Sequence, residues 1–263
     1  MCIRDRAANS GKAPDCVVMN VTVRSMKLHG GAFGSRGGYR PSQEELDAEN
    51  IDAVVRGAQG NLDRHIRNMA GFGMPVIVSI NRFAADTDGE LEALAAAARV
   101  SGAHAVTLTE VHAKGGEGGE PLAKAVVSAI QDHVAAGRPF TPLFVNDAPI
   151  MDKVNGIAQR IYKADGVMVE NKAKKQLATI ESWGYGHLPV CMAKTQYSFS
   201  HDAGQLGAPV GFTIPVREFR LNAGAGFIVA VLGNMMTMPG LPKRPAAADM
   251  DMDENGQLTG VFG

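Results

Sequence analysis

The stretch C-V-V-M-N-V-T-V, Cys16 to Val23, is an unbroken apolar and β-branched run. It predicts a strand covered on both faces, of the kind found in parallel sheets flanked by helices. The chain downstream fits that frame. A Gly-rich loop, Gly30 to Gly38, comes first; helical spacing over Glu44 to Phe72, notably Leu62, Ile66 and Met69, then leads through Gly73 and Pro75 to a second apolar run, Val76 to Ile80. The rhythm recurs as helix (Glu90 to Val100), strand (Ala103 to Leu108), helix (Pro121 to Val134) and strand (Leu143 to Val145). It continues as helix (Ile150 to Ala164), strand (Gly166 to Val169), helix (Ala173 to Trp183) and strand (Pro189 to Ala193).

Beyond Ala193 the texture changes. Gly211 to Leu221 and Gly226 to Leu232 are strand-like with no long helix between them, which predicts antiparallel or mixed pairing. The expected fold class is therefore α/β, a mostly parallel sheet with flanking helices followed by a smaller mixed or antiparallel β region. The expected division is an α/β region with loops around a cleft over 7–145, a second α/β and mixed-sheet region over 146–238, and an irregular acidic tail over 239–263. Met1 to Arg6 resemble the translated end of a sequencing adapter and read as a non-native leader over 1–6, the alternative being a genuine charged tail.

Composition narrows the function. With 263 residues, 45% hydrophobic and 20% charged, the chain can bury a sizeable core. A formal net charge of -1 offers no global field for nucleic acid or an acidic membrane surface, so neither is an expected partner. No apolar run reaches the length of about eighteen residues that a membrane span needs, and the start lacks the apolar core of a signal peptide, so a cytoplasmic location is expected. Three widely spaced cysteines, Cys2, Cys16 and Cys191, fit reduced thiols better than a disulfide framework or a zinc site.

Ligands of open parallel sheets bind beyond the carboxyl ends of the strands. Three segments qualify. Arg24 to Gly31 carries Arg24, Lys27 and His29 before paired glycines, a pattern that suits a pocket for phosphate or carboxylate and equally suits a solvated basic turn. Asn81 to Phe83 follows the second strand and Glu110 to Gly116 the third. Phe83 and His112 leave the same sheet edge and could grip a flat ring by stacking; taken alone, these residues read more simply as a core cap and a surface histidine. No G-x-x-x-x-G-K-[ST], G-x-G-x-x-G or H-E-x-x-H occurs. Asp249, Asp251 and Asp253 begin like a calcium loop, but its sixth position is Glu254 where the tight turn needs Gly, so no metal site is expected there. Lys172, Lys174 and Lys175 read as a solvated helix face and Cys191 as a core residue.

At these segments the sequence is recognisable. V-T-V-R-S-M-K-L-H-G-G, Val21 to Gly31, resembles the V-A-T-[IV]-R-A-L-K-x-H-G-G signature of formate-tetrahydrofolate ligases. PDCVV, NLDRHI, PVIVSINRF, DTDGE, AKGGEGG, ADGV with KAKKQ, PVCMAKTQYSFS, GFTIPVRE, AGAGFIVAV and MTMPGLP follow in the family's order over about residues 11 to 263. The resemblance implies the carboxyl-terminal half of a P-loop NTPase-like ligase core whose phosphate loop is missing from this stretch. It implies an activity in which ATP and formate give formyl phosphate and the N10 amine of tetrahydrofolate takes the formyl group, yielding 10-formyltetrahydrofolate.

ATP with Mg2+, formate and tetrahydrofolate are the implied small molecules, and a homo-oligomer the implied assembly of the intact enzyme. By the same resemblance Phe83, Leu108 and His112 form the folate pocket, with His112 where the family usually has Trp, and Arg24 and Lys27 are candidates for stabilising anionic groups. The family's phosphate loop and formyl-phosphate-binding arginine lie upstream of the matching stretch, so the chain is expected to carry the folate side and to be inactive alone. The alternative is a naturally short, non-catalytic folate-binding or oligomerisation module.

Overall fold

The computed structural model describes residues 13–34, 41–145, 147–194, 198–233, 244–248, 250–256 and 258–259. Met1 to Arg6, the end of the Gly-rich loop and the M-T-M-P-G-L-P segment lie outside them. The chain divides into two compact units, Met1–Gly233 and Asn234–Gly263.

The first unit is α/β and holds two sheets. One has the order β1-β2-β3, all parallel, formed by β1 (Val17–Val21), β2 (Val76–Asn81) and β3 (Ala105–Thr109). The other is mixed. In it β4 (Gly166–Val169) pairs parallel with β6 (Thr213–Asn222), β5 (Val190–Ala193) pairs parallel with β7 (Phe227–Leu232), and β6 and β7 run antiparallel in the middle. The expected parallel rhythm with a mixed region after Ala193 is thus present, but β4 and β5 belong to the mixed sheet and not to the first one.

Helices fill the connections. They are α1 (Val23–His29), α2 (Gln43–Asp47), α3 (Ile51–Gly57), α4 (Asp63–Ala70), α5 (Asp88–Val100), α6 (Val111–Lys114), α7 (Glu120–Ala135), α8 (Ile150–Gly156) and α9 (Asn171–Ser182). π-Helical segments, Ala58–Leu62 and Ile157–Ile161, extend α3 and α8. One core lies under the parallel sheet, with Val21, Met26, Val54, Leu62, Ile66, Val78, Ile80 and Leu94. A second, built on Ile150, Ile157, Ile180, Ile214, Phe219 and Ile228, lies under the mixed sheet, and Met69 packs against both.

Four expectations change. The strand covered on both faces is the central β2, whose first five residues are all buried, whereas β1 is an edge in which alternate residues are more exposed and Val18 is 45% exposed. The strand also ends early, because Thr22 caps a helix. The Thr22 hydroxyl accepts from the Ser25 backbone N–H at 3.1 Å and the Ser25 hydroxyl accepts from the Thr22 N–H at 3.3 Å, a reciprocal capping box. Arg24 and Lys27 therefore stand on α1 and not in a loop.

The helix expected over Glu44 to Phe72 is interrupted where Ala48 turns extended and Asn50 caps α3, its side chain accepting from Ala53 N–H at 3.0 Å. Leu143 to Val145 forms no strand. Its apolar residues Leu143 and Phe144 pack on the second core as irregular chain just after Pro142, which has no N–H to offer a ladder.

Within the second unit, Asp251–Met252 pairs antiparallel with Leu258–Thr259. Among the described residues, no helix is long and apolar enough to cross a membrane.

Candidate functional site

Because β1, β2 and β3 are parallel, the residues leaving their carboxyl ends share one sheet edge. A cleft of about 450 Å³ opens there, lined by Arg24 of α1, Gln43 and Asp47 of α2, the segment Asn81 to Ala85 after β2, and Glu110, His112 and Ala113 after β3. That volume is within the ordinary range for a small-molecule site. The three segments singled out from sequence thus each supply a wall, and Arg24, Phe83 and His112 come together.

Leu108 and Lys27 are not among the lining residues. Leu108 sits on β3 opposite Ile80, 40% exposed. Lys27 is 1% exposed, its ammonium 2.8 Å from the Glu90 carboxylate and donating to the carbonyls of Leu46 (3.1 Å) and Ala48 (2.8 Å). Its charge is consumed inside the protein, so it holds the cleft's frame and faces no ligand there.

Of the two cations predicted from sequence, Arg24 is the one that lines the cleft. Its guanidinium carbon lies 4.5 Å from the centroid of Phe83, a cation–π distance. One Nη donates to Asp47 Oδ1 at 3.2 Å, while Nε is buried with no hydrogen-bond partner among the described residues. One donor of this guanidinium is therefore unspent.

Phe83 is itself fixed from behind. Its backbone N–H donates to Asp86 Oδ2 at 2.8 Å, and Asp86 N–H donates back to the Phe83 carbonyl at 3.1 Å, so both bonds close one four-residue turn. Burial pushes the Asp86 carboxyl above the usual carboxylate range, opposed by the Phe83 N–H and by the Arg24 charge. The next residues continue the support. The Thr87 hydroxyl accepts from Glu90 N–H at 3.2 Å to start α5, and Glu90 Oε1 takes Asn50 N–H at 2.7 Å as well as Lys27. Each polar position of D-T-D-G-E but Asp88 is thus engaged in holding the cleft, and Asp88 pairs with Arg82 at 3.2 Å on the surface.

On the third wall Glu110 lies between Lys114 (2.6 Å) and Arg82 (3.9 Å), and the Lys114 hydrogen bond holds its carboxyl below the ordinary range. Of the glycines after His112, Gly118 is required by geometry. A Cβ on Gly118 would stand 2.5 Å from the Glu110 carbonyl, and the Glu110 N–H donates to the Gly118 carbonyl at 3.1 Å; only glycine lets the chain close this near. His112 itself, on the short α6, is exposed.

The cleft therefore offers an aromatic face, an imidazole, cations in Arg24 and Arg82 and carboxylates in Asp47 and Glu110, which suits a flat ring that carries hydrogen-bonding groups. Asp47, Gln43, Asp86 and Glu90 were not picked out from sequence as site residues. Two signals were available: the S-x-x-E and T-x-x-E capping boxes at Ser42–Glu45 and Thr87–Glu90, which fix α2 and the start of α5.

A family model described as formate--tetrahydrofolate ligase matches residues 3–262. Curated relatives named formate--tetrahydrofolate ligase are 47% identical in Roseobacter denitrificans, 46% in a Ruegeria species and 45% in Maricaulis maris, each over 257 residues. The alignments take in 98% of this chain and 44% of each relative, so the chain spans less than half their length.

Proposed function

Because the chain belongs to the formate-tetrahydrofolate ligase family, we propose that its cleft is the tetrahydrofolate side of an ATP-dependent ligase that makes 10-formyltetrahydrofolate by way of formyl phosphate. The observation that carries this reading is the convergence of Phe83, His112 and Arg24 on one cleft. Phe83 and His112 stack on the pterin. Arg24, whose side chain lines the cleft, stabilises negative charge as the N10 amine attacks the formyl carbon and phosphate departs. Formate, ATP and tetrahydrofolate are then its small-molecule partners, in the cytoplasm.

ATP and Mg2+ find no matching donor set here. The sequence has no G-x-x-x-x-G-K-[ST] loop, and among the described residues no three His, Cys, Asp or Glu side chains come together to hold a metal ion. No step is assigned through either. The 263-residue chain, supplied with formate, ATP and tetrahydrofolate, is accordingly expected to form no 10-formyltetrahydrofolate. Product above the enzyme-free background would sink that expectation.

The folate assignment is tested by binding alone. Titrating tetrahydrofolate into the chain, Phe83→Ala should raise Kd roughly tenfold, since an aromatic stacking partner contributes about 0.5–1.5 kcal/mol beyond its buried area. His112→Trp should lower Kd by roughly two- to tenfold, an indole offering more stacking surface than an imidazole. His112 is exposed, so its replacement does not threaten the core. If neither substitution moves Kd, the ligand sits elsewhere.

A further inference from the structure

A second cavity, of about 270 Å³, has a different character. Arg64, Arg67, Arg160 and Lys163 all line it, together with Asn68 and several apolar or small residues, and no Asp or Glu does. Its residues come from α4 and the turn after it, from the π segment after α8 and the turn after that, and from Thr141 and Leu143; the first two are the pieces of chain that lead into β2 and β4. It therefore lies towards the amino ends of those strands, whereas the cleft lies beyond the carboxyl ends of its own sheet.

The local charges do not cancel. Asp63 is committed to Arg67, whose Nε donates to both carboxylate oxygens at 2.9 and 2.8 Å. Arg64 uses one Nη on the Tyr162 carbonyl (3.3 Å) and Arg160 one Nη on the Leu143 carbonyl (2.8 Å). Each guanidinium keeps further N–H donors. Lys163 has no hydrogen-bond or ion-pair partner among the described residues. Four cations against one carboxylate is a strong local excess in a chain whose formal net charge is -1.

The surroundings are built rather than loose. Asn68, 7% exposed, donates to the Ile161 carbonyl at 3.0 Å and ties the two walls together. Lys163 has φ 58, the sole positive φ at a non-glycine among the described residues. The turn that imposes it is closed by Tyr162 N–H to Ile157 O (3.3 Å) and Ala164 N–H to Ala158 O (3.0 Å). A residue with a Cβ avoids this conformation, so a turn that wanted only the backbone shape would take glycine; lysine adds a cation.

We propose that this cavity binds a small multivalent oxyanion of the phosphate class. Guanidinium forks match its oxygens bidentately, and the Lys163 ammonium adds a point charge. The volume leaves room for bridging water around a single phosphate, or for a second phosphoryl group.

Calorimetric titration of the full chain with inorganic phosphate, and separately with pyrophosphate, at low ionic strength and against a chloride control, tests this. Saturable binding is expected, weakened roughly fivefold or more by Lys163→Gly and by Arg160→Ala, each substitution removing one charge-assisted contact. Lys163→Gly also relieves the positive φ, so its thermal midpoint should equal or exceed the parent's while its affinity falls. Tighter binding of pyrophosphate than of phosphate would identify a phosphate chain as the ligand, and the reverse a single phosphate. Absent binding, affinities unmoved in both variants, or displacement of the anion by tetrahydrofolate would each overturn the proposal, the last because it would place the anion in the cleft beside Arg24.

Discussion

Lys27→Met is expected to destabilise the protein by about 3–5 kcal/mol, the range for removing one partner of a buried ion pair and leaving the other charged and unpaired. Lys27 and Glu90 are 1% and 0% exposed and 2.8 Å apart. The methionine fills most of the space, so packing is not the term that fails. What is lost is the cation opposite Glu90 and the donor shared by the Leu46 and Ala48 carbonyls. Those carbonyls flank Asp47, the partner of Arg24, so the damage should reach the cleft as well. Adding Glu90→Gln to Lys27→Met should return a large part of the stability, because the amide oxygen can still accept from Asn50 N–H while no charge is left buried. Denaturant unfolding of the two variants measures both numbers. If Lys27→Met costs under about 1 kcal/mol, the pair is not the hub described above.

How far the sequence discloses this arrangement depends on the distance over which each residue is determined. The run V-I-V-S-I announces β2 because burial on both faces leaves no room for alternation. The shared edge of β1, β2 and β3 follows from the strand, helix, strand rhythm, and with it the meeting of Phe83 and His112 in one cleft. Local chemistry was legible but outweighed in T-V-R-S. The cations and following glycines suggest a loop, yet the Thr22–Ser25 box starts a helix. Lys27 could not be read correctly, since its fate is set by Glu90 on another element, and a lysine beside a histidine and glycines looks the same whether it faces an anion or a buried carboxylate. The exposure of β1 was equally hidden, because apolar composition alone does not separate a central strand from an edge.

Gly30→Ala should cost about 3 kcal/mol or more, at the upper end of what overpacking a tight site does. Gly31→Ala beside it should cost only about 1–2 kcal/mol. The reasons differ. Gly30 has an ordinary negative φ of -84, but a Cβ there would lie 1.8 Å from the Ala53 carbonyl oxygen, and one on Gly57 would lie 2.0 Å from the Met26 carbonyl oxygen. The two glycines face each other's helices, so α1 and α3 touch backbone to backbone, and neither carbonyl can rotate away as a side chain would. Gly31 has φ 82 and nothing within 4 Å of its would-be Cβ, so its replacement suffers only conformational strain. Read from sequence, the pair suggested a backbone opened for an anion; the geometry gives Gly30 to helix packing. That changes what a substitution does to function. Forcing α1 away from α3 moves the helix that carries Arg24, whose 4.5 Å approach to Phe83 sets one wall of the cleft. Gly30→Ala should therefore lose stability and ligand affinity together, while Gly31→Ala loses a little of the first and none of the second. Unfolding midpoints and tetrahydrofolate Kd values for both variants decide it. Equal losses of stability would mean that the helix crossing is looser than 1.8 Å implies.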